Sequence, residues 1–373
     1  MNATNKTQNT NRVNWQQVGL FILLTFALSW GLDLLLELTS GYGSNPQSLL
    51  LLQLQMLLPA FSAILLSAFF FKGSPIYFHS FKERPRWFFY FYVLFTLAYI
   101  ALAILAVIVP AQAAIFSAVG SSLSILALLV LLGLRGFSSW EAFASAGLVG
   151  AKLRDWVLYG LGFAGFYALS TALNALFKLG QPVNASTLAA QSGMSAVSSS
   201  TFLLLAAVQT VLVAPLLSIP IAFGEEYGWR SFLQGQLTRL GKKRGVLLVG
   251  LIWSIWHYPV ILMGHNYPGQ PVLGILMMTA YTTALAFILG YVMLKTGSIW
   301  LVAYLHALNN QTFSYLSALI YKPDNAVLAF GGGLYGVLLL VPIVLLLLRD
   351  PIWRDVPSSE QALPQTAPLQ NAS

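Results

Sequence analysis

The chain has 373 residues, of which 57% are hydrophobic and only 8% are charged. A soluble domain carries roughly 25% charged residues, so this composition excludes a soluble globular protein and indicates a polytopic membrane protein. The sequence contains no cysteine, which excludes disulfides and thiolate metal ligands. The formal net charge is +8, but membrane topology explains it, and we expect no nucleic-acid partner.

The apolar segments predict the membrane topology. A spanning helix needs about 20 predominantly apolar residues, and about ten stretches meet that length. They lie near residues 18–38, 48–71, 87–110, 113–134, 155–178, 201–224, 245–263, 272–294, 298–320 and 333–348. Lys and Arg fall mostly in alternate connecting segments, which the positive-inside rule assigns to the cytoplasm. We therefore predict an all-α, polytopic transmembrane helical bundle of about ten spans with both termini cytoplasmic.

This topology divides the chain into five parts in sequence order. Residues 1–17 form a cytoplasmic N-terminal segment, and residues 18–200 form accessory transmembrane spans. Residues 201–321 hold most of the polar side chains that fall inside apolar segments, so we expect the functional core there. Residues 322–350 contain the last span, and residues 351–373 form a polar cytoplasmic tail.

Two adjacent glutamates, Glu225 and Glu226, directly follow an uncharged stretch from Thr201 to Gly224. An ionised side chain near the bilayer centre costs at least about 2.5–3.5 kcal/mol on insertion scales, so such carboxylates are candidates for function. Arg230 lies four residues after Glu226 and is the expected partner. Adjacent side chains on a helix point about 100° apart. We therefore expect one of the two glutamates to face a cavity and the other to pair with Arg230.

Two later apolar segments carry histidines. His257 is followed by Pro259, which removes a backbone donor and favours a kink. His306 and Asn310 are four residues apart and share one helix face. With a rise of about 1.5 Å per residue, the polar residues of three helices reach one level, in the middle to cytoplasmic half of the bilayer. The sequence therefore predicts a shared polar site between three helices.

The residue types of this site suit hydrolysis of an amide. That reaction needs an activated water, a general base and a group that stabilises the tetrahedral oxyanion. Two histidines and one glutamate around a water also form a known catalytic zinc arrangement. On that interpretation Glu225, His257 and His306 are candidate ligands of a divalent metal, with zinc the expected ion. Asn310 is a poor zinc ligand and a better oxyanion donor.

Other interpretations of the same residues remain open. Each histidine alone could be packed in a helix interface, and Asn310 could join two helices by a hydrogen bond. The glutamates could mark the end of a helix, with Arg230 as a surface partner. The polar site could also carry protons or cations in a transporter, or belong to a non-catalytic scaffold. The occurrence of three motifs at one depth favours a shared site.

Three short motifs of this core resemble, in order and in internal spacing, those of the CAAX prenyl protease and bacteriocin-processing (CPBP, or Abi) family. They are Glu225-Glu226-x-x-x-Arg230, an aromatic residue followed by x-x-x-His257, and His306-x-x-x-Asn310. The resemblance covers about residues 200–321. The second motif begins with Trp253, where the family usually has Phe.

The resemblance implies an intramembrane metallo-endopeptidase of the cell membrane of a prokaryote. In such a site Glu225 acts as the base or the ligand for the attacking water, the two histidines and Asn310 complete the site, and Arg230 supports it. Glu226 is then the expected partner of Arg230. A glutamate mechanism without metal has also been argued for the family. The implied partners are the lipid bilayer and a membrane-associated or lipid-modified peptide substrate.

Overall fold

The computed structural model describes residues 12–43, 45–82, 85–137 and 139–354. Most of the predicted N-terminal segment and most of the predicted tail lie outside these residues. Regular structure in the described part is helical except for two strands of three residues each. The predicted all-α class is therefore confirmed.

The described residues of the first half of the chain form seven helices. They are α1 (Trp15–Thr39), α2 (Pro46–Phe70), α3 (Arg86–Ile108), α4 (Pro110–Gly136), α5 (Trp140–Ser145), α6 (Leu153–Leu176) and α7 (Ala185–Gln191). Strand β1 (Gly180–Pro182) pairs antiparallel with strand β2 (Tyr321–Pro323) of the second half, with Gln181 opposite Lys322.

The second half also contains seven principal helices. They are α8 (Ser199–Leu217), α9 (Ile219–Glu226), α10 (Lys242–Trp256), α11 (Tyr258–Leu262), α12 (Pro271–Thr296), α13 (Ile299–Tyr315) and α14 (Leu334–Leu347). A π-helical segment, Tyr227–Gln234, follows α9 without a break and leads through short helical turns at Gly235–Leu237 and Thr238–Leu240 to α10.

Seven helices in the described ranges are long and apolar enough to cross a membrane, namely α1, α2, α3, α4, α6, α8 and α12. The other three predicted spans correspond to α10, α13 and α14, which have 15, 17 and 14 residues. The chain is a helical integral membrane protein. The count of ten spans and the cytoplasmic termini stay predictions.

The helix predicted over residues 201–224 is in fact two helices. Helix α8 ends at Leu217, and α9 starts at Ile219 with Pro220 in its first turn. Proline lacks a backbone N–H and its ring clashes with the preceding turn, so it is tolerated at a helix start and disfavoured in the interior. The two glutamates therefore belong to a separate helical segment that starts at Ile219, and they do not continue the long span. By contrast, the predicted break near Pro259 is confirmed, since α10 ends at Trp256.

Helix α9 packs between α2 and α13. A side chain at Gly224 would place its Cβ 2.2 Å from the backbone oxygen of Met56, and one at Gly228 would lie 2.5 Å from Cβ of Pro59. Two glycines four residues apart let helix backbones approach closely within a membrane. The glycine face of this segment therefore contacts α2, and the glutamates turn towards α10 and α13.

Connecting segments predicted to share one side of the membrane contact each other. Strands β1 and β2 both belong to segments predicted outside. At the other end, Lys295 in the last turn of α12 forms an ion pair of 2.9 Å with Asp350 after α14, and both positions are predicted inside. These contacts fit the predicted alternation of loops, while the identity of the cytoplasmic side stays a prediction.

Candidate active site

The end of α9, the π-helical segment that follows it, α10 and α13 bring four of the predicted site residues into contact. Glu225, Glu226, Arg230 and His306 are each at most 3% exposed. A low-dielectric environment strengthens interactions between charges and raises the cost of leaving a charge unpaired. The partners of each buried group therefore determine what it can do.

Glu226 is held from two directions. Its Oε2 lies 3.2 Å from Nε of Arg230, with both side chains fully buried, which confirms the predicted pairing. Its Oε1 lies 2.6 Å from Nδ1 of His306. The contact with Arg230 is an ion pair without hydrogen-bond alignment, because no guanidinium nitrogen meets hydrogen-bond geometry with any described residue. Glu226 thus balances the charge of Arg230 and orients His306.

The π-helical segment places Arg230. Its i→i+5 hydrogen bonds widen the turn that follows the glutamates, and such turns are frequent at functional sites. Cζ of Arg230 lies 4.3 Å from the ring centroid of Trp253, a distance at which a guanidinium is attracted to the face of an aromatic ring. The guanidinium is therefore held between a carboxylate and an indole ring.

Glu225 has one bound oxygen and one oxygen turned to His306. Its Oε2 accepts a hydrogen bond of 2.7 Å from Nε1 of Trp253. Its Oε1 lies 3.8 Å from Nε2 of His306 and makes no hydrogen bond within the described ranges. This separation is too long for a direct hydrogen bond, and one water molecule can bridge two polar atoms at such a distance.

Hydrogen bonds define the free nitrogen of each imidazole. Nδ1 of His257 lies 2.8 Å from the carbonyl oxygen of Trp253. A carbonyl only accepts, so this Nδ1 carries the hydrogen and Nε2 is left as an acceptor. Nδ1 of His306 faces the carboxylate of Glu226, which assigns the same tautomer. Both histidines thus have Nε2 as the atom open to a ligand or to water.

Trp253 is a site residue whose role the sequence did not reveal. It donates to Glu225, its ring lies against Arg230, and its carbonyl accepts from His257. Its position as the aromatic residue that begins the second motif does not indicate these contacts. The available signal was chemical: a buried indole N–H usually has a hydrogen-bond partner.

Asn310 and its neighbour Asn309 have different environments. Asn309 is buried, and its Oδ1 accepts hydrogen bonds from Tyr167 at 2.7 Å and from Tyr281 at 3.0 Å. The two tyrosine hydroxyls also contact each other. Asn310 is exposed, and its Oδ1 accepts a 3.0 Å hydrogen bond from Asn309. No hydrogen bond between described residues links Asn310 to the glutamates.

The predicted metal ligands do not form a three-residue cluster. Glu225 and His306 approach each other, but no group of three His, Cys, Asp or Glu side chains in the part of the chain that the structure describes is close enough to hold a metal ion. The imidazoles have the ligand chemistry, because each donates Nδ1–H to an oxygen acceptor as zinc-bound histidines do. A metal at this site therefore stays a proposal.

The helical bundle and this buried centre define an integral membrane protein with a polar site enclosed between α9, α10 and α13. Residues 200–312 match the family described as Rce1-like, Type II CAAX prenyl endopeptidase Rce1-like. The matched segment contains all three motifs, from Glu225 to Asn310, and it confirms the resemblance seen in the sequence. The segment is therefore similar to a family described as an endopeptidase, and this similarity supports protease activity. No curated protein and no solved structure shows a significant match to the chain.

Proposed function

We propose that this protein is an intramembrane endopeptidase that hydrolyses a peptide bond of a membrane-associated or lipid-modified substrate. The observation that carries the proposal is the approach of Glu225 Oε1 to His306 Nε2, at 3.8 Å inside a buried site. The matched family is described as a CAAX prenyl endopeptidase. A prenylated CAAX peptide is therefore the first substrate class to test.

In this proposal a water molecule contacts both Glu225 Oε1 and His306 Nε2. Glu225 accepts one proton as the water oxygen attacks the scissile carbonyl, and it returns that proton to the leaving amine as the C–N bond breaks. Trp253 holds the other oxygen of Glu225, so Oε1 remains directed to the water. Glu226 keeps Nδ1 of His306 engaged and leaves Nε2 for the water.

The tetrahedral intermediate needs a donor for its oxyanion. Asn310 uses only its oxygen in the hydrogen bond with Asn309, so the two N–H donors of its Nδ2 form no hydrogen bond with the described residues. Asn310 is the donor that we propose, as the sequence motif suggested. The buried Arg230 supports the site through Glu226. His257, whose Nε2 is also an acceptor, is proposed to hold the water or the substrate.

A divalent metal, with zinc the expected ion, stays a separate proposal in which Glu225, His257 and His306 are the ligands. When bound, such an ion lowers the pKa of a coordinated water towards about 7. The test is the metal content of the purified protein. Stoichiometric zinc that is lost in His306→Ala supports the ion, and full activity of protein freed of metal by a chelator contradicts it.

The experiment that tests the proposed function compares Glu225→Gln with the wild-type chain. A general base contributes about 10²–10⁴-fold to the rate, so the variant should lose cleavage of a prenylated CAAX peptide by that factor and remain folded. Glu37→Gln, which changes an exposed carboxylate on α1, is the matched control and should cleave normally.

Full cleavage by Glu225→Gln would contradict the assignment. If the wild-type chain cleaved no peptide and instead carried protons or cations into vesicles, with loss of transport in Glu225→Gln, the transporter interpretation would replace it. Normal function after substitution of all the motif residues would indicate a scaffold.

A further inference from the structure

A cavity of about 640 Å³ lies between the start of α6 and the end of α12. Three of its lining residues are cationic, namely Lys152, Arg154 and Lys295, and one is acidic, Asp155. Tyr159 adds a hydroxyl group. The cavity contains none of the residues of the site described above, and its lining carries a net positive charge.

The three cations differ in how they are paired. Lys295 is neutralised by Asp350 at 2.9 Å. Arg154 approaches Asp155 only at 3.9 Å, and its side chain is 81% exposed. Lys152 is exposed and forms no ion pair or side-chain hydrogen bond with any described residue. Two of the cations are therefore able to bind an external anion.

The same helix exposes apolar side chains just beyond the cavity. Leu158 is 56% exposed and Leu161 is 66% exposed, and both lie on α6, one of the helices long enough to cross a membrane. These residues face lipid chains if α6 spans the bilayer. The cationic cavity thus lies at the polar end of an apolar surface, which is the arrangement that an amphiphilic anion matches.

We propose that this cavity binds the phosphate headgroup of an anionic phospholipid, whose acyl chains lie along α6. Lys152 and Arg154 contact the phosphate, and Tyr159 lines the same cavity. Basic pockets between transmembrane helices recognise anionic headgroups in this way. The cations also fit a free phosphate. The exposed leucines favour the lipid, because its acyl chains can contact them and a free phosphate cannot.

The test measures binding of a fluorescent phosphatidylglycerol to the full chain in neutral detergent micelles. Each cation near a headgroup contributes about 1 kcal/mol, or about fivefold in affinity. The dissociation constant should therefore rise about fivefold in Lys152→Gln and about 25-fold in the double variant Lys152→Gln/Arg154→Gln. Added salt should weaken binding, since the charges are exposed.

The matched control is Lys178→Gln/Lys322→Gln, which removes two exposed cations from the region around β1 and β2 and should bind as the wild type does. Three results would overturn the proposal: equal affinity for phosphatidylcholine, an equal loss of affinity in the control, and complete displacement of the lipid by an equal concentration of inorganic phosphate. The last result would identify a site for small anions only. Lys152→Gln changes one exposed side chain, so the dissociation constant of this single variant still tests the proposal if the double variant does not fold.

Discussion

The two adjacent glutamates have opposite surroundings although they share one helix end. Glu226 is bound by Arg230 and His306, whereas Glu225 is bound by Trp253 and keeps Oε1 directed at His306. A carboxylate between a cation and an imidazole N–H is fixed in place. A carboxylate with one oxygen uncommitted can exchange a proton with water, which is why Glu225 is the proposed base.

Trp253→Phe should lower kcat and leave KM unchanged. The substitution keeps a buried aromatic ring but removes the N–H that holds Glu225, and a hydrogen bond to a charged group contributes about 1.5–3 kcal/mol, or about 10- to 100-fold in rate. Steady-state cleavage kinetics measure both parameters. Trp229→Phe is the control, because Trp229 is equally buried and its N–H has no partner among the described residues. Equal losses in both variants would contradict a positioning role.

Glu226→Gln should lower the free energy of unfolding by about 3–5 kcal/mol, because it leaves the Arg230 charge buried without a counter-ion. Denaturation in mixed micelles measures this loss. The double variant Glu226→Gln/Arg230→Met removes the orphaned charge and keeps an acceptor for His306, so it should recover most of the stability. A double variant that is less stable than Glu226→Gln alone would show that Arg230 has a stabilising partner other than Glu226.

At the scale of elements, the site depends on the break between α8 and α9 and on the close packing of α9 against α2. Helix α9 begins at Ile219, with Pro220 in its first turn, after α8 ends at Leu217. This break sets the rotation of the helix that carries the glutamates. Gly224 and Gly228 then place the backbone of this segment directly against α2. The direction in which the two glutamates point therefore depends on two glycines, which have no polar side chain and lie on the opposite side of the segment.

Gly224→Ala should reduce both stability and cleavage. The added Cβ would lie 2.2 Å from the backbone oxygen of Met56, and overpacking of this kind costs about 1–3 kcal/mol or more where backbone must move. Unfolding in mixed micelles and peptide cleavage measure the two effects. Gly165→Ala on α6 has no atom within 4 Å of the added Cβ and should be tolerated. Normal cleavage by Gly224→Ala would show that α2 yields without moving the glutamates.

At the scale of the whole molecule, the segment that follows α14 contacts α10 and α12 at the end of the bundle where α12 and α14 finish. Lys295 pairs with Asp350, and Tyr291 donates a 2.9 Å hydrogen bond to the same carboxylate. Lys242 at the start of α10 donates to the carbonyl oxygen of Ile352 at 2.8 Å. The segment that follows α14 thus links the end of α12 to the start of α10.

The hydrogen bond from Lys295 lowers the pKa of Asp350 from 3.8 to about 2. A carboxyl group whose pKa is lower in the folded state contributes stability above its ordinary pKa, and this contribution is lost as the pH falls towards about 2. Asp350→Asn should therefore lower the melting temperature at pH 6, with a difference that shrinks between about pH 4 and pH 2. Thermal unfolding over this range measures it, and a difference independent of pH would contradict the argument.

The sequence by itself determined the features that depend on short spacings and on composition. Long apolar runs predict membrane helices, the i, i+4 spacing predicts the pair of Glu226 and Arg230, and Pro259 predicts the interruption that follows Trp256. The order and spacing of the three motifs were sufficient to identify the resemblance that the match over residues 200–312 confirms.

Only the tertiary structure decided which atoms meet. Trp253 reaches Glu225 across 28 positions of sequence, and His306 reaches Glu226 across 80; such contacts depend on helix rotation and side-chain rotamers, which no local pattern specifies. The same reason explains why the three predicted metal ligands do not form a cluster, and why Asn309, next to the predicted Asn310, is the buried amide. Residue types and spacing predicted the chemistry of the site, while the packing of α9 against α2, α10 and α13 set its geometry.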